Sequence, residues 1–180
     1  MSFNFEKFVE DVRKEAKSAD PNQSVRALLE RCVAEPDPII DATPNDGEDE
    51  IMLFEDETLS IWHCRFQPHV VMPPHEHLLD VHIAVYSGGE KNIFFRSIDN
   101  ELKHEATKVV RPGEVLSLGS DCIHAVTAEG DASSLALHVY MGPLMRLKRS
   151  LFDWETGQKI EFSMENFYKL KRPTSALPAY

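Results

Sequence analysis

Paired histidines give the sequence its clearest chemical signal. The segment Pro73-Pro74-His75-Glu76-His77 carries two imidazoles one residue apart. On a β-strand, alternate side chains lie on the same face, with their Cα atoms roughly 6 to 7 Å apart. Two imidazoles at that separation can bind one metal ion, because histidine nitrogen is a common ligand of zinc and other transition metals. His75 and His77 are therefore predicted metal ligands.

A third histidine completes the predicted site. His124 follows the turn-like segment Gly119-Ser120-Asp121 and precedes apolar residues, so we expect it near the start of a strand. The interval between His77 and His124 leaves room for one or two hairpins between the strands that carry the ligands. Three neutral imidazoles suit Fe, Zn, Cu or Ni, and they leave coordination positions open for a substrate and dioxygen.

These histidines lie in two motifs that resemble those of the cupin superfamily. The motifs are His75-Glu76-His77-x4-His82-x6-Gly89 and Gly113-x5-Gly119-x4-His124. The resemblance implies a mainly β fold, the small double-stranded β-helix of the cupins. The glutamate ligand that is usual in the first motif is missing, and Val81 or His82 takes its place, depending on how the gap is counted. That departure is similar to the thiol dioxygenases, namely cysteine dioxygenase and 3-mercaptopropionate dioxygenase, which bind iron through three histidines.

A later segment extends the resemblance. Residues 134–140 look like the strand that carries the Ser-x-His-x-Tyr triad of thiol dioxygenases. His138 and Tyr140 match that triad, whereas Ala136 stands at the serine position. The resemblance implies that Tyr140, oriented by His138, donates a hydrogen bond to bound oxygen species. With Ala136 in place of serine, the hydrogen-bond chain is shorter by one hydroxyl.

The resemblance also implies an arginine that binds the substrate carboxylate. Animal cysteine dioxygenases have it in a region that matches residues 51–54, where this sequence has no arginine. In the mercaptopropionate-type enzymes it follows the triad tyrosine by several residues, a place that Arg149 or else Arg146 can fill. An acidic protein needs such a local cation to hold an anionic substrate.

The implied activity is that of an iron-dependent dioxygenase. It would oxidise a small thiol carboxylate, of the cysteine or 3-mercaptopropionate type, to its sulfinic acid. The cofactor would be Fe(II), although such sites bind other divalent metals, and dioxygen would be the co-substrate. Two other functions remain open: a three-histidine cupin dioxygenase that cleaves a carbon–carbon bond of a diketone, and a non-catalytic cupin that binds a metal or a small ligand.

Other groups with possible chemistry receive different expectations. His82 is open as a fourth ligand, as a group that supports the ligands, or as a strand residue that faces away. The remaining groups are expected to be structural, at the surface or in the core: His63, His69, His104 in a surface turn, Cys64, Cys122 and the acidic loop 46–50.

Hydrophobic periodicity predicts helices followed by strands. Apolar residues at 3.6-residue spacing predict two amphipathic helices, over residues 5–16 and 25–33. The segment 35–38 is expected to be extended or turned, because each proline disfavours helix in the residue before it. Short apolar runs between turn residues then predict a sandwich or barrel, with strands at 51–54, 59–66, 70–72, 81–86, 92–97, 108–110, 115–118, 124–127 and 135–140.

The expected organisation is one domain with two parts. Residues 1–45 form a helical lead-in that packs on the barrel. Residues 46–180 contain the barrel and, after it, a hairpin over 151–162 and a short helix that begins at Ser163 and ends near Leu170. A length of 180 residues fits a single domain.

Composition argues against several classes of partner. The formal net charge of −11 repels a phosphate backbone and an anionic leaflet, so neither nucleic acid nor a membrane is an expected partner. Apolar stretches fall short of the roughly 18 to 20 residues of a membrane span, and the N-terminus lacks the apolar core of a signal peptide. The 3 cysteines form no disulfide pattern, which suits a reducing cytoplasm. The expected partner is a small-molecule thiol, bound by a monomer or a homodimer.

Overall fold

The computed structural model describes residues 3–43, 47–99 and 101–178. Two of its α-helices match the sequence prediction closely. Asn4 caps the first by accepting a hydrogen bond from the Lys7 backbone N–H at 2.8 Å, and Asp20 caps the second in the same way. The α-helices are α1 (Phe5–Glu15), α2 (Pro21–Val33), α3 (Asp37–Ala42) and α4 (Met164–Lys169).

The short helix α3 corrects the sequence prediction, which expected an extended or turned segment over residues 35–38. Pro36 stands at the N-cap of α3 and Pro38 lies in its first turn. A proline is tolerated there, because the first backbone N–H groups of a helix have no partner within the helix. The prolines therefore start this helix and do not prevent it.

The strands follow in the predicted order along the chain. They are β1 (Glu50–Glu55), β2 (Ser60–Phe66), β3 (Val70–Glu76), β4 (Val81–Ser87), β5 (Glu90–Ile98), β6 (Glu101–Val110), β7 (Val115–Leu118), β8 (Ile123–Ala128), β9 (Ser134–Tyr140), β10 (Ser150–Phe152), β11 (Lys159–Glu161) and β12 (Arg172–Pro173). The hairpin of β10 and β11 and the Ser163-capped helix α4 were both expected from the sequence.

Two antiparallel sheets face each other around the interior. One has the order β1-β2-β9-β4-β7, and the other has the order β11-β10-β3-β8-β5-β6, with β12 beside β3. The nested pairing of β2 with β9, β9 with β4, β3 with β8 and β8 with β5 is that of a jelly roll, the architecture of the double-stranded β-helix. The predicted mainly β fold is confirmed.

His104 lies within a strand and not in the expected surface turn. It belongs to β6, which begins at Glu101 and is therefore much longer than the predicted residues 108–110. β6 stands at the end of its sheet and most of its side chains are exposed. Such an edge strand carries many polar residues, and for this reason its hydrophobic pattern is weak in the sequence.

The sheet that contains β9 separates two apolar layers. Leu137 and Val139 pack with α1 and α2 on its outer face, whereas Ala136 and Tyr140 face the interior between the sheets. Side chains alternate between the two faces of a strand, so β9 contributes to both layers. Within the described residues, no helix has the length and apolar character needed to cross a bilayer.

The turn between β4 and β5 contains Gly88, which lies close to the backbone just before β9. Gly88 has a φ of 64°, and a Cβ atom there would lie 2.3 Å from the Ser133 carbonyl oxygen. Gly130 has a φ of 78°, but a Cβ atom there would meet no described atom within 4 Å. Both alanine variants suffer backbone strain of roughly 1–2 kcal/mol. We expect Gly88→Ala to lower the free energy of unfolding by about 1–3 kcal/mol more than Gly130→Ala, because of the added overlap.

Urea denaturation followed by circular dichroism measures this difference. Equal losses of stability in Gly88→Ala and Gly130→Ala would show that the turn can move away from Ser133.

Candidate metal centre

The three predicted ligands converge in the barrel interior. His75 lies in β3 and faces His124 of β8 directly across the sheet, while His77 follows the end of β3. One nitrogen from each of the three rings lies within 4.8 Å of the others. The side chains are 5 %, 4 % and 1 % exposed for His75, His77 and His124. The structure therefore contains a buried three-histidine group that could hold a metal ion.

A register shift in β3 aims the histidines inward. Met72 and His75 both face the interior although they lie three positions apart, because the pairing of β3 with β8 is irregular between them. A shift of one residue exchanges the two faces of a strand. Pro73 and Pro74 occupy the irregular segment, where a missing N–H leaves no ladder bond unmade. Glu76 consequently points away from the site and pairs with Lys159 at 3.3 Å.

Hydrogen bonds set the tautomers of two of the rings. The Nδ1–H of His75 donates to the Pro73 carbonyl oxygen at 2.9 Å, and that of His124 donates to the Asn92 side-chain oxygen at 2.7 Å. Nε2 of His124 is buried and has no hydrogen-bond partner among the described residues. An unpartnered nitrogen lone pair that faces two other imidazoles is what a metal ion needs.

Burial keeps the three rings uncharged. It lowers the pKa of His75 to about 3 and the pKa values of His77 and His124 well below the ordinary value, and the neighbouring histidines lower the last two further. Metal ions bind the neutral imidazole. The donor set, its geometry and its protonation therefore fit a divalent transition metal.

Tyr140, His138 and Arg149 line the same pocket as the three histidines. Nδ1 of His138 lies 3.3 Å from the Tyr140 hydroxyl, and its Nε2 lies 3.2 Å from a Glu90 carboxylate oxygen. Burial raises the pKa of Tyr140 to about 12, so the phenol keeps its proton at neutral pH. Burial alone would lower the pKa of His138, but Cys64, Tyr140 and Glu90 together raise it well above the ordinary value.

The triad position Ala136 is an apolar residue of the interior. It packs in a cluster with Val81 and Val85 and has no polar side-chain atom to offer His138. Glu90, from the opposite sheet, provides the second hydrogen-bond partner of that ring. The hydrogen bonds therefore run from Tyr140 through His138 to the carboxylate of Glu90.

The structure distinguishes the two candidate arginines. Arg149 is 8 % exposed, lines the pocket and places its guanidinium carbon 3.2 Å from the centroid of the Phe162 ring. Arg146 lies at the surface, where it pairs with Glu55 at 3.7 Å and with Glu57. Of the two, Arg149 is the one in contact with the site.

Three other histidines lie away from the site. His82 is on the outer face of β4, where its ring nitrogens lie 2.8 Å from the Ser117 hydroxyl and 3.1 Å from the Asn22 side-chain oxygen. It is therefore not a ligand of the three-histidine group, and Val81 is the residue of that pair that faces the interior. His63 also faces outward and lies 2.6 Å from the Tyr86 hydroxyl, whereas His69 is exposed.

Sequence reasoning missed several polar residues of the site. Glu50 belongs to the segment expected to be a solubilising loop, yet it begins β1, lines the pocket and accepts a hydrogen bond from the Tyr168 hydroxyl at 2.6 Å. Burial raises the pKa of this carboxyl group. Asp46, in the same expected loop, lies outside the described residues. Cys64 also lines the pocket, and burial raises the pKa of its thiol.

Glu90 and Asn92 were missed as well, although the sequence contains a signal for them. Both are 0 % exposed, and both lie near the start of β5, two residues apart. Two polar residues at alternate positions of a strand share one face. Their position just after the Gly88-Gly89 turn, in a segment with apolar neighbours, indicates a polar group inside the barrel.

Comparisons with known proteins identify similar folds only among solved structures. No family model matches the chain, and no curated protein matches it. A cupin family protein with a double-stranded β-helix fold from Methanocaldococcus jannaschii is 14% identical, with 57% of this chain and 87% of that chain covered and a TM-score of 0.45.

Two of the similar structures are enzymes. The DMSP lyase DddQ from Ruegeria pomeroyi DSS-3 is 16% identical, with a TM-score of 0.48, and covers 63% of this chain and 59% of its own. Hydroquinone 1,2-dioxygenase from Sphingomonas sp. TTNP3, solved with 4-hydroxybenzoate bound, is 12% identical, with a TM-score of 0.46, and covers 59% of this chain and 74% of its own.

Metal affinity tests the three-histidine group. We expect His124→Ala to weaken Fe(II) or Zn(II) binding by more than about 100-fold, since loss of a group that merely supports a ligand already costs 10–100-fold. His82→Ala is the matched control, because His82 is also a buried histidine but lies on the outer face of the facing sheet, and the affinity of this variant should stay within about twofold of the wild type. Competition with a chromophoric chelator gives both dissociation constants. Equal affinities of the two variants would contradict the assignment.

Proposed function

We propose that this protein is an iron-dependent dioxygenase that oxidises a small thiol carboxylate to its sulfinic acid. One observation carries the proposal: a buried, neutral three-histidine group shares a single pocket with Tyr140 and with the guanidinium of Arg149. The expected substrates are cysteine, 3-mercaptopropionate or a related thiol. The free cysteines Cys32, Cys64 and Cys122 also suit the reducing cytoplasm in which we expect the protein to act.

His75, His77 and His124 would hold the Fe(II). A bound ion would supply the chemistry that lowers the pKa of the substrate thiol and would allow thiolate and dioxygen to lie close together. The overall reaction balances without a further reductant: both atoms of dioxygen become bonded to sulfur, which loses the four electrons that dioxygen gains, and the thiol proton remains with the sulfinic acid. The chain itself must orient the substrate and supply hydrogen bonds.

Arg149 is suited to hold the substrate carboxylate. Its planar guanidinium can donate two parallel hydrogen bonds to a carboxylate, and stacking on Phe162 fixes the plane of the group. Burial lowers the pKa of Arg149 to about 10, and Tyr140 and Glu50 act in the opposite direction, so the side chain stays charged at neutral pH. It is the one arginine or lysine among the described residues that line the pocket, and His138, whose pKa is raised, lines it as well.

Tyr140 is suited to donate a hydrogen bond at the reacting end of the substrate. Its ring centroid lies 5.0 Å from that of the ligand His77, and its side chain is 6 % exposed. Because its pKa is raised, its hydroxyl is a proton donor and not a phenolate. The pocket wall next to it is largely apolar, with Trp62, Phe66 and Phe167, so bulk water is largely excluded from the reacting atoms.

Oxygen uptake by the Fe(II)-loaded protein tests the proposal. We expect uptake with cysteine, 3-mercaptopropionate or another thiol carboxylate, one dioxygen per sulfinic acid formed. A β-diketone in the same assay represents the alternative carbon–carbon cleavage, which needs no thiolate and no arginine to bind a carboxylate. Uptake with the diketone alone would replace the proposal with that alternative. Tight iron binding without uptake on either substrate would indicate a non-catalytic cupin.

The role of Arg149 predicts a specific kinetic change. We expect Arg149→Gln to raise the KM of a thiol carboxylate by about 10- to 100-fold, the range for a lost hydrogen bond to a charged group. A thiol without a carboxylate should show a much smaller change. Arg146→Gln is the control and should keep the wild-type KM, because Arg146 pairs with surface glutamates. A similar rise in KM for both kinds of thiol in Arg149→Gln would contradict carboxylate binding.

A further inference from the structure

A buried hydrogen-bond chain begins at His124 and passes through Asn92 and Glu90, two residues that do not line the pocket. The Nδ1–H of His124 donates to the Asn92 side-chain oxygen at 2.7 Å. The Asn92 side-chain nitrogen donates in turn to one carboxylate oxygen of Glu90 at 3.0 Å. Asn92 and Glu90 are both 0 % exposed.

The other oxygen of Glu90 is held from the opposite sheet. Nε2–H of His138, in β9, donates to it at 3.2 Å. The carboxylate of Glu90 therefore accepts one hydrogen bond from its own strand and another from the facing sheet. Two such bonds fix both the position and the rotation of the group.

The hydrogen bond between Asn92 and His124 can have only one donor and one acceptor. Glu90 can only accept, so Asn92 must direct its amide nitrogen toward Glu90 and its amide oxygen toward His124. An amide oxygen at 2.7 Å requires a proton on Nδ1 of His124. Nε2 of His124 then carries the lone pair, and it is one of the buried nitrogens that lack a hydrogen-bond partner among the described residues.

A buried carboxylate is costly unless it is hydrogen-bonded. Replacement of Glu90 by an apolar residue would avoid that cost, and the surrounding interior is rich in apolar side chains. What the carboxylate adds is orientation, since it removes the freedom of the Asn92 amide to flip. With a flipped amide, the Asn92 nitrogen would face Nδ1 of His124, and the tautomer that leaves Nε2 free for a metal would lose its hydrogen bond.

We propose that Glu90 and Asn92 are positioning residues that hold His124 in the orientation and tautomer needed for metal binding, with Glu90 acting on His124 only through Asn92. The proposal rests on the three-histidine metal site of the proposed function, but not on the choice of substrate. Glu90 does not line the pocket, and its hydrogen-bond partners are Asn92 and His138. A residue that merely fills the core would not change the metal affinity, whereas a positioning residue would.

Cobalt(II) binding by the full-length protein tests this role without any turnover. We expect Glu90→Gln to weaken Co(II) binding by about 10-fold or more, the lower end of the effect known for groups that support metal ligands. The substitution keeps the shape of the side chain, but it replaces one accepting oxygen with a donor. The Co(II) absorption bands should also shift, because the His124 ring is less well oriented. Chelator competition and the visible spectrum are the two measurements.

Glu76→Gln is the matched control. Glu76 is also a poorly exposed glutamate, and it stands between the ligands His75 and His77 in the sequence. It points away from the site, toward Lys159. The same chemical change there should leave the Co(II) affinity within about twofold and the spectrum unchanged, because no ligand-supporting group is lost.

A double-substitution cycle tests the order of the chain. Asn92→Ala should weaken Co(II) binding, and Glu90→Gln added to it should have no further effect, because the connection to His124 is already broken. Asn92→Leu, which fills the same volume, serves in its place if the alanine variant does not fold. Circular dichroism establishes that each variant is folded.

Each outcome supports or overturns the proposal. Loss of affinity in Glu90→Gln that disappears in the Asn92 background supports it. Unchanged affinity in Glu90→Gln overturns it, as does an equal loss with and without Asn92, which would indicate a general effect on the fold. Absence of Co(II) binding by the wild-type protein would overturn the metal site itself, and with it the proposed function.

Discussion

Burial of three imidazoles against one another favours the uncharged form of all three. Protonation of one ring would place a cation in an interior that solvates charge poorly, and repulsion from other histidines lowers the pKa values of His77 and His124 further. The barrel meets this constraint by removing the rings from water and by leaving Nε2 of His124 without a hydrogen-bond partner among the described residues. A metal ion would satisfy that nitrogen, so burial of the rings and readiness for a metal have the same origin.

The jelly roll makes such a site possible because its strands have two different faces. On β9, Leu137 and Val139 complete the packing with the helices, while His138 and Tyr140 reach the interior pocket. The outer layer can therefore stabilise the sheet with ordinary apolar contacts, and the inner layer can hold polar groups at fixed positions. The irregular segment at Pro73 and Pro74 adapts β3 to the same division, because it directs both ligand histidines inward.

The sequence was sufficient to predict two residues of the three-histidine group on one strand face and most strands, since spacing within one strand is a local property. His75 and His77 are separated by one residue, and the alternation in residues 134–140 marks one face of β9. The sequence could not identify Glu90 as the partner of His138, because their contact joins two facing sheets whose relative position depends on the whole topology. Nor could it decide between Val81 and His82, which face opposite sides of β4, until the faces of that strand were assigned.

The charges of the pocket bear on the anionic substrate that we propose. The net charge of −11 disfavours the approach of any anion, and Glu50 brings a further carboxyl group to the pocket itself. Burial raises the pKa of Glu50, so it loses its charge more readily than an exposed glutamate does. Arg149 is more buried than Glu50 and keeps its charge, and a cation in a poorly solvated site acts more strongly than one at the surface. Arg149 and His138, whose pKa is raised, therefore offset the acidic exterior within the pocket, and this local positive charge suits the anionic substrate that we propose.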